Sequence, residues 1–205
     1  MINLPITADH IRATLTAYRS EYPGSEPELD AVVGLLDDGD DLTSRTTSPG
    51  HATAGAILVG PDDRVLHIRH VATGKWLLPG GHLERADNSL LQAAARELFE
   101  ETGIPSQVIT PQGEGPLHID LHSIDANPAK DEPAHQHFDF RFLFRTTADI
   151  GELQTEEVSD AVWRNVDEIT NPRLRLRIAT ALQGDSDGAM SCRAGLADHW
   201  PGTGD

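Results

Sequence analysis

Leu78-Pro79-Gly80-Gly81-His82-Leu83-Glu84, followed by Asp87 and then by Arg96-Glu97-Leu98-Phe99-Glu100-Glu101-Thr102-Gly103-Ile104, is the stretch that decides the fold. It predicts a glycine-rich loop feeding a helix over Ser89 to Thr102, with Gly103 as its C-terminal cap and Pro105 behind it. On a helical wheel at about 100° per residue, with Glu97 at zero, Glu100 falls near −60° and Glu101 near +40°, so the three carboxylates share one face. Leu91, Ala95, Leu98 and Thr102 gather at roughly 100–160° on the same wheel. The helix can therefore bury one flank and keep an acidic edge in a cleft. Like charges one turn apart weaken a helix unless something compensates them. A hard dication such as Mg²⁺, which prefers oxygen ligands and bridges carboxylates to phosphates, is the natural compensator. A bare Glu-x-x-Glu-Glu would read as a solvated acidic face. Gly81, Arg96, Glu97, Glu100, Glu101 and Gly103 together are a rarer coincidence, about one in 10⁷ starting points at average usage.

Working toward the N-terminus, Ile11, Leu15 and Tyr18 recur at helical spacing between Thr7 and Tyr22, with Thr7 or Asp9 as N-cap. A second helix is expected over Glu26 to Leu36, ended by the acidic run Asp37-Asp38-Gly39-Asp40-Asp41. The pattern then becomes β: His51 to Val59, a Gly-Pro-Asp-Asp turn, and Val65 to His70. Beyond the acidic helix, strands are expected at Leu117 to Ser123 and His137 to Phe144, and a short one at Ala161 to Asn165. A helix follows from about Asp167 to Gln183, with Pro172 marking a break or a second start, and Gly184 to Asp205 reads as a loose tail. The fold class is α+β with a mixed sheet. The expected division is an N-terminal helical extension over residues 1–45, a core domain over 46–183 and a C-terminal tail over 184–205.

The 205 residues, 38% hydrophobic and 24% charged, suffice for a packed core of one domain with an extension. A net charge of −17 disfavours duplex nucleic acid and anionic membrane surfaces as partners. The single cysteine, Cys192, cannot form an internal disulfide and has no organised base near it in sequence, so an inert thiol in a reducing compartment is the reading. No apolar run approaches the roughly 18 residues that span a bilayer, and Met1 to Ala8 does not look like a secretion signal, so a cytoplasmic protein is expected.

Period two on the stretch His135 to Phe144 sends Phe138, Phe140, Phe142 and Phe144 to one face and His135, His137, Asp139 and Arg141 to the other. The neighbouring strand divides the same way, with His118, Asp120 and His122 on its polar side. Paired as a hairpin, the two make a His/Asp patch. Three readings stand: a substrate cleft with Arg141 on a phosphate, favoured slightly; a solvated face; and, least favoured, a transition-metal site.

The central stretch resembles the Nudix box, Gly-x5-Glu-x7-Arg-Glu-U-x-Glu-Glu-x-Gly-U with U apolar. Two departures are visible: the box acid is Asp87 rather than Glu, and eight residues rather than seven separate it from Arg96. A loop absorbs one extra residue cheaply. The half from Arg96 to Ile104 matches without a change, and the Trp76 to Gly81 lead-in and the Val162-Trp163 strand extend the likeness to roughly residues 50–183.

The resemblance implies an α/β/α sandwich that hydrolyses a nucleoside diphosphate linked to another moiety, using Mg²⁺ or Mn²⁺. By the same resemblance Glu97, Glu100 and Glu101 bind metal, the Gly81 carbonyl adds a ligand, and Arg96 orients the carboxylates. Glu97 is the favoured general base, while Glu84 and Asp87 are box acids without an assigned role. Glu157, six residues before Trp163, is the candidate for a further metal-binding glutamate from a loop, with Glu156 its rival. A small nucleotide-type substrate is the expected partner, and the N-terminal helices read either as packing against the core or as mediating a homodimer. Two rival readings are weaker. A Nudix-fold isomerase needs a cysteine in the catalytic region, and a ligand-binding or regulatory Nudix domain would be expected to lose box carboxylates. No Pro or Tyr spacing downstream of Ile104 selects a substrate subfamily.

Overall fold

The computed structural model describes residues 5–24, 26–128, 132–150, 153 and 156–194, with the side chains of 26, 27 and 185–194 left aside. Two compact units divide after Asn165. The first opens with α1 (Ala8–Glu21) and α2 (Glu26–Asp37), then carries β1 (Gly50–Val59), β2 (Val65–His70), β3 (Trp76–Leu77), β4 (Gly80–His82), α3 (Leu90–Thr102), β5 (Ile109–Pro111), β6 (His118–Ile124), β7 (His135–Thr146) and β8 (Val158–Arg164).

These strands form one mixed sheet. Its main path runs β3-β2-β1-β7-β5, with β4 on β1, β6 on β7 and β8 on β2. β1 pairs with β7 in parallel, and the remaining pairs are antiparallel. Strand β1 is buried along its whole length, as expected of a central strand that reads Ala-Thr-Ala-Gly-Ala-Ile-Leu-Val after its first two residues. The β6–β7 hairpin forms as the alternation implies, with Leu121 opposite Phe138 and His122 opposite His137. Phe138, Phe140, Phe142 and Phe144 are buried in a core shared with Ala52, Ala54, Ala56 and Leu58 of β1 and with Leu90, Ala93, Ala94 and Leu98 of α3.

The N-terminal helices belong to that same core through Ile11, Leu15, Tyr18, Leu29, Val32 and Leu36. Thr7 caps α1 by accepting from the His10 N–H at 3.2 Å. Buried Tyr18 accepts from the Ile119 backbone N–H of β6 at 3.1 Å, a direct bond from helix to sheet.

Several boundaries differ from the sequence reading. Leu78 to His82, expected as loop, contains β4, because Gly80 and Gly81 let the backbone lie against Ala54 and Gly55 of β1. A Cβ at Gly80 would sit 2.7 Å from the Gly55 Cα. Strand β8 starts at Val158, three residues earlier than expected, by pairing with β2. In the second unit a 3-10 turn covers Val166–Glu168, and α4 spans Pro172–Ala194. Pro172 is a start rather than a break: the Asn171 side chain accepts from the N–H groups of Arg173 and Leu174 at 3.0 and 3.1 Å, and proline suits the first helical position. α4 continues past Gly184, where a loose tail was expected, since Ala189, Met190, Arg193 and Ala194 are good helix formers that offset the two glycines. The rest of the expected tail and the Cys192 side chain lie outside the described residues.

Candidate active site

Helix α3 begins where Ser89 accepts from the Gln92 N–H at 3.1 Å and ends at Gly103, whose φ of 67° is the left-handed cap the sequence reading requires. Its acidic edge faces β4. The Glu101 carboxylate is buried and accepts from the Gly80 backbone N–H at 2.9 Å. The Glu97 carboxylate lies so close to the turn that a Cβ on Gly81 would meet it at 2.8 Å. A side chain at Gly81 would push that carboxylate aside.

Arg96 organises the rest. Its Nε and Nη2 donate to Asp87 Oδ1 and Oδ2 at 3.0 and 2.9 Å. Nη1 donates to Glu97 at 3.0 Å and to Glu100 at 2.8 Å, and Nη2 also donates to the His82 carbonyl at 2.9 Å. Asp87 thus gains a definite position: it is a buried anchor for the guanidinium, and it also accepts from the Glu84 backbone N–H at 2.8 Å. The Glu84 side chain is exposed, and Glu100 is the most open of the box carboxylates on α3.

Burial pushes Glu97 up to about 7, against the pull of Arg96 and with added repulsion from Glu100 and Glu157. Burial pushes Glu101 up to about 8, opposed by the Gly80 N–H and reinforced by Glu97, Glu157 and Glu100. Glu157, just ahead of β8, is therefore brought within electrostatic reach of both, while its own carbonyl accepts from the Val71 N–H at 2.7 Å. The side chains along this edge offer carboxylate oxygens, the kind of donor that Mg²⁺ and Mn²⁺ prefer.

The polar face of β7 divides in two. Arg141 donates to Asp139 at 2.7 Å and to Asp120 at 3.3 Å, so its guanidinium is already shared by two carboxylates. His135 and His137 instead join His51 of β1, with ligating nitrogens all within 4.8 Å of one another, and His82 of β4 stands beside them. Among the described residues, no threesome of box carboxylates converges that closely. Sequence reasoning missed His51 and His82. The available signal was a histidine opening an otherwise apolar strand, and another following the Gly-Gly turn.

An acidic helix seated on a Gly-Gly strand of a mixed sheet defines a domain class, and residues 49–183 match the family model described as NUDIX domain. The chain is 31% identical over 131 residues to a protein of Lactococcus lactis subsp. cremoris named "Probable DHNTP pyrophosphohydrolase", covering 63% of this chain and 75% of that one. It is 48% identical over 59 residues to phosphatase NudJ of Escherichia coli K12, covering 28% of this chain and only 37% of NudJ. Among solved structures, an Ap4A hydrolase of C. elegans in a binary complex aligns with a TM-score of 0.47 at 18% identity, covering 65% of this chain and 98% of that one. The chain belongs to the Nudix hydrolase family.

Proposed function

We propose that this enzyme hydrolyses the diphosphate linkage of a nucleoside diphosphate joined to another moiety, with Mg²⁺ or Mn²⁺ as cofactor. The observation that carries the reading is the Arg96 hub, which ties Asp87, Glu97 and Glu100 together beside buried Glu101. Glu97, Glu100, Glu101 and Glu157 with the Gly81 carbonyl would hold the cation. The fit is supported by the all-oxygen donor set and by the mutual repulsion of Glu97, Glu100, Glu101 and Glu157, which a dication relieves. When bound, the metal lowers the pKa of water and neutralises charge on phosphate oxygens.

The chain's own residues do the rest. Glu97, kept ionised beside Arg96 and the cation the site would hold, takes a proton from the attacking water as its oxygen bonds to phosphorus and the bridging P–O bond breaks. Arg96 holds that carboxylate in place from one side while Asp87 fixes the guanidinium from the other. Arg141, steadied by Asp139, borders the substrate cleft in this reading, while His135 and His137 turn toward His51. The catalytic domain is residues 46–183, with 1–45 as its helical extension. The names of the relatives, a pyrophosphohydrolase and a phosphatase, support phosphoric anhydride chemistry.

The test is a panel of nucleoside diphosphate sugars, dinucleoside polyphosphates and nucleoside triphosphates assayed with Mg²⁺, with Mn²⁺ and with EDTA. Cleavage of at least one linked diphosphate with metal and none with EDTA is expected. Cleavage that persists in EDTA would overturn the metal assignment.

A further inference from the structure

We propose that His51, His135 and His137 form a second metal site, a three-imidazole site for a divalent transition cation of the zinc type, separate from the carboxylate box. The proposal stands whether or not the hydrolytic reading does. Parallel pairing sets His51 of β1 beside His137 of β7, and His135, two residues earlier, shares the same face. The three rings lie 4.8 to 5.0 Å apart between centroids, with His51 stacked on His135.

His51 is 1% exposed, and its ring nitrogens lack a well-formed hydrogen bond, although the Thr47 backbone lies close enough to interact with the ring. A buried imidazole normally satisfies at least one nitrogen, and a His51 nitrogen lying within 4.8 Å of nitrogens on two other histidines is placed to share a ligand with them. His135 has the arrangement of a metal-binding histidine: its Nδ1 donates to the Pro133 carbonyl at 2.9 Å, which turns the Nε2 lone pair toward the cluster. That Nε2 is 3.1 Å from His137 Nε2. Two nitrogens bound at about 2.0–2.1 Å to a tetrahedral ion would stand about 3.3 Å apart, so the hydrogen-bonded His135–His137 pair already has ligand spacing. His51, with the set spread over as much as 4.8 Å, would close the remaining distance as the cation replaces the shared proton.

The charges around the cluster are of both signs. Glu132 lies 4.0 Å from His135 Nε2 and favours a cation, while Arg45 opposes one at His51 and His82. His82 flanks the site with its Nε2 buried and unpartnered, a reserve fourth nitrogen. Imidazole is a poor ligand for Mg²⁺ and a good one for zinc, so Mg²⁺ would occupy the carboxylates and leave the imidazoles to the softer ion.

The test uses the full chain, stripped with EDTA and returned to buffer with excess Mg²⁺ so that the carboxylate box is occupied. Titration with Co²⁺ followed by visible absorption, and with Zn²⁺ by calorimetry, should give about one equivalent bound and the intense bands of tetrahedral cobalt. His137→Gln and His135→Gln should each weaken Zn²⁺ binding by about ten-fold or more, while Glu100→Gln and Glu101→Gln leave it unchanged. Circular dichroism establishes that each variant is folded. If a histidine variant fails to fold, the imidazole ¹⁵N shifts of the parent protein on adding Zn²⁺ decide the matter. The absence of Zn²⁺ binding in Mg²⁺, unmoved imidazole shifts, or binding lost in the glutamate variants and kept in the histidine variants would each overturn the proposal.

Discussion

Arg96 grips Asp87 at two points, Nε to Oδ1 at 3.0 Å and Nη2 to Oδ2 at 2.9 Å, and the carboxylate it grips is buried. Removing the guanidinium would leave that carboxylate charged and unpaired. Arg96→Ala should therefore destabilise the fold by about 3–5 kcal/mol, the usual cost of breaking a buried pair. Arg96→Lys restores a charge without the planar fork, so its loss should be smaller but measurable by urea denaturation. Equal stability of Arg96→Ala and the parent would mean that the hub is not what holds the loop before α3.

Tyr18 tests whether the N-terminal helices are part of the core. Tyr18→Phe keeps the buried ring but deprives the Ile119 N–H of its acceptor, at an expected cost of about 1–3 kcal/mol. Chemical denaturation checks it. A neutral substitution would mean that α1 contributes packing alone.

The pH profile of metal-free protein follows from Glu97 and Glu101, which fold with values of about 7 and about 8 against an ordinary 4.5. Between pH 4.5 and 8 the unfolded chain has released protons that the folded chain still holds. Stability from these groups is thus fully present below about 4.5 and is lost as pH rises through about 7 to 8. Melting curves in EDTA should fall across that window, and Glu97→Gln with Glu101→Gln should flatten the decline. Adding Mg²⁺ should raise the melting temperature most at the alkaline end, where the carboxylates are ionised.

Much of this was legible in the sequence because it was local. The Ser89 start, the Gly103 cap and the three glutamates on one face of α3 depend on spacing within a helix, and the buried phenylalanine row of β7 depends on period two. What sequence could not supply was register. The pairing of His51 with His137 joins residues far apart in the chain through a parallel crossover, and no local pattern specifies it. The same holds for Arg141, whose alternation marks it as polar-facing but not that Asp120 on β6 shares its charge. Asp87 is a third kind of case: its departure from the box pattern hid a role that only the Arg96 geometry reveals. Strand β4 was missed because a three-residue strand of Gly-Gly-His has no hydrophobic period to read.

Arg141→Ala should act on both substrate handling and stability. Stripping a shared cation from Asp139 and Asp120 leaves two facing carboxylates, so a loss of folding stability is expected alongside a raised KM. Arg141→Lys, which keeps the charge, should recover stability more fully than KM. Parent-like KM in both variants would remove Arg141 from the substrate cleft.

The central claim is that the acidic edge of α3 performs hydrolysis, and Glu101→Gln tests it most directly, since glutamine keeps the volume and the acceptor for the Gly80 N–H while removing the charge. Cleavage of the best panel substrate is followed by ³¹P NMR at saturating Mg²⁺, with the variant's melting temperature measured beside it. The account predicts a folded variant, at least as stable as the metal-free parent, with turnover reduced by orders of magnitude. A folded Glu101→Gln variant that cleaves the substrate at the parent rate would contradict it.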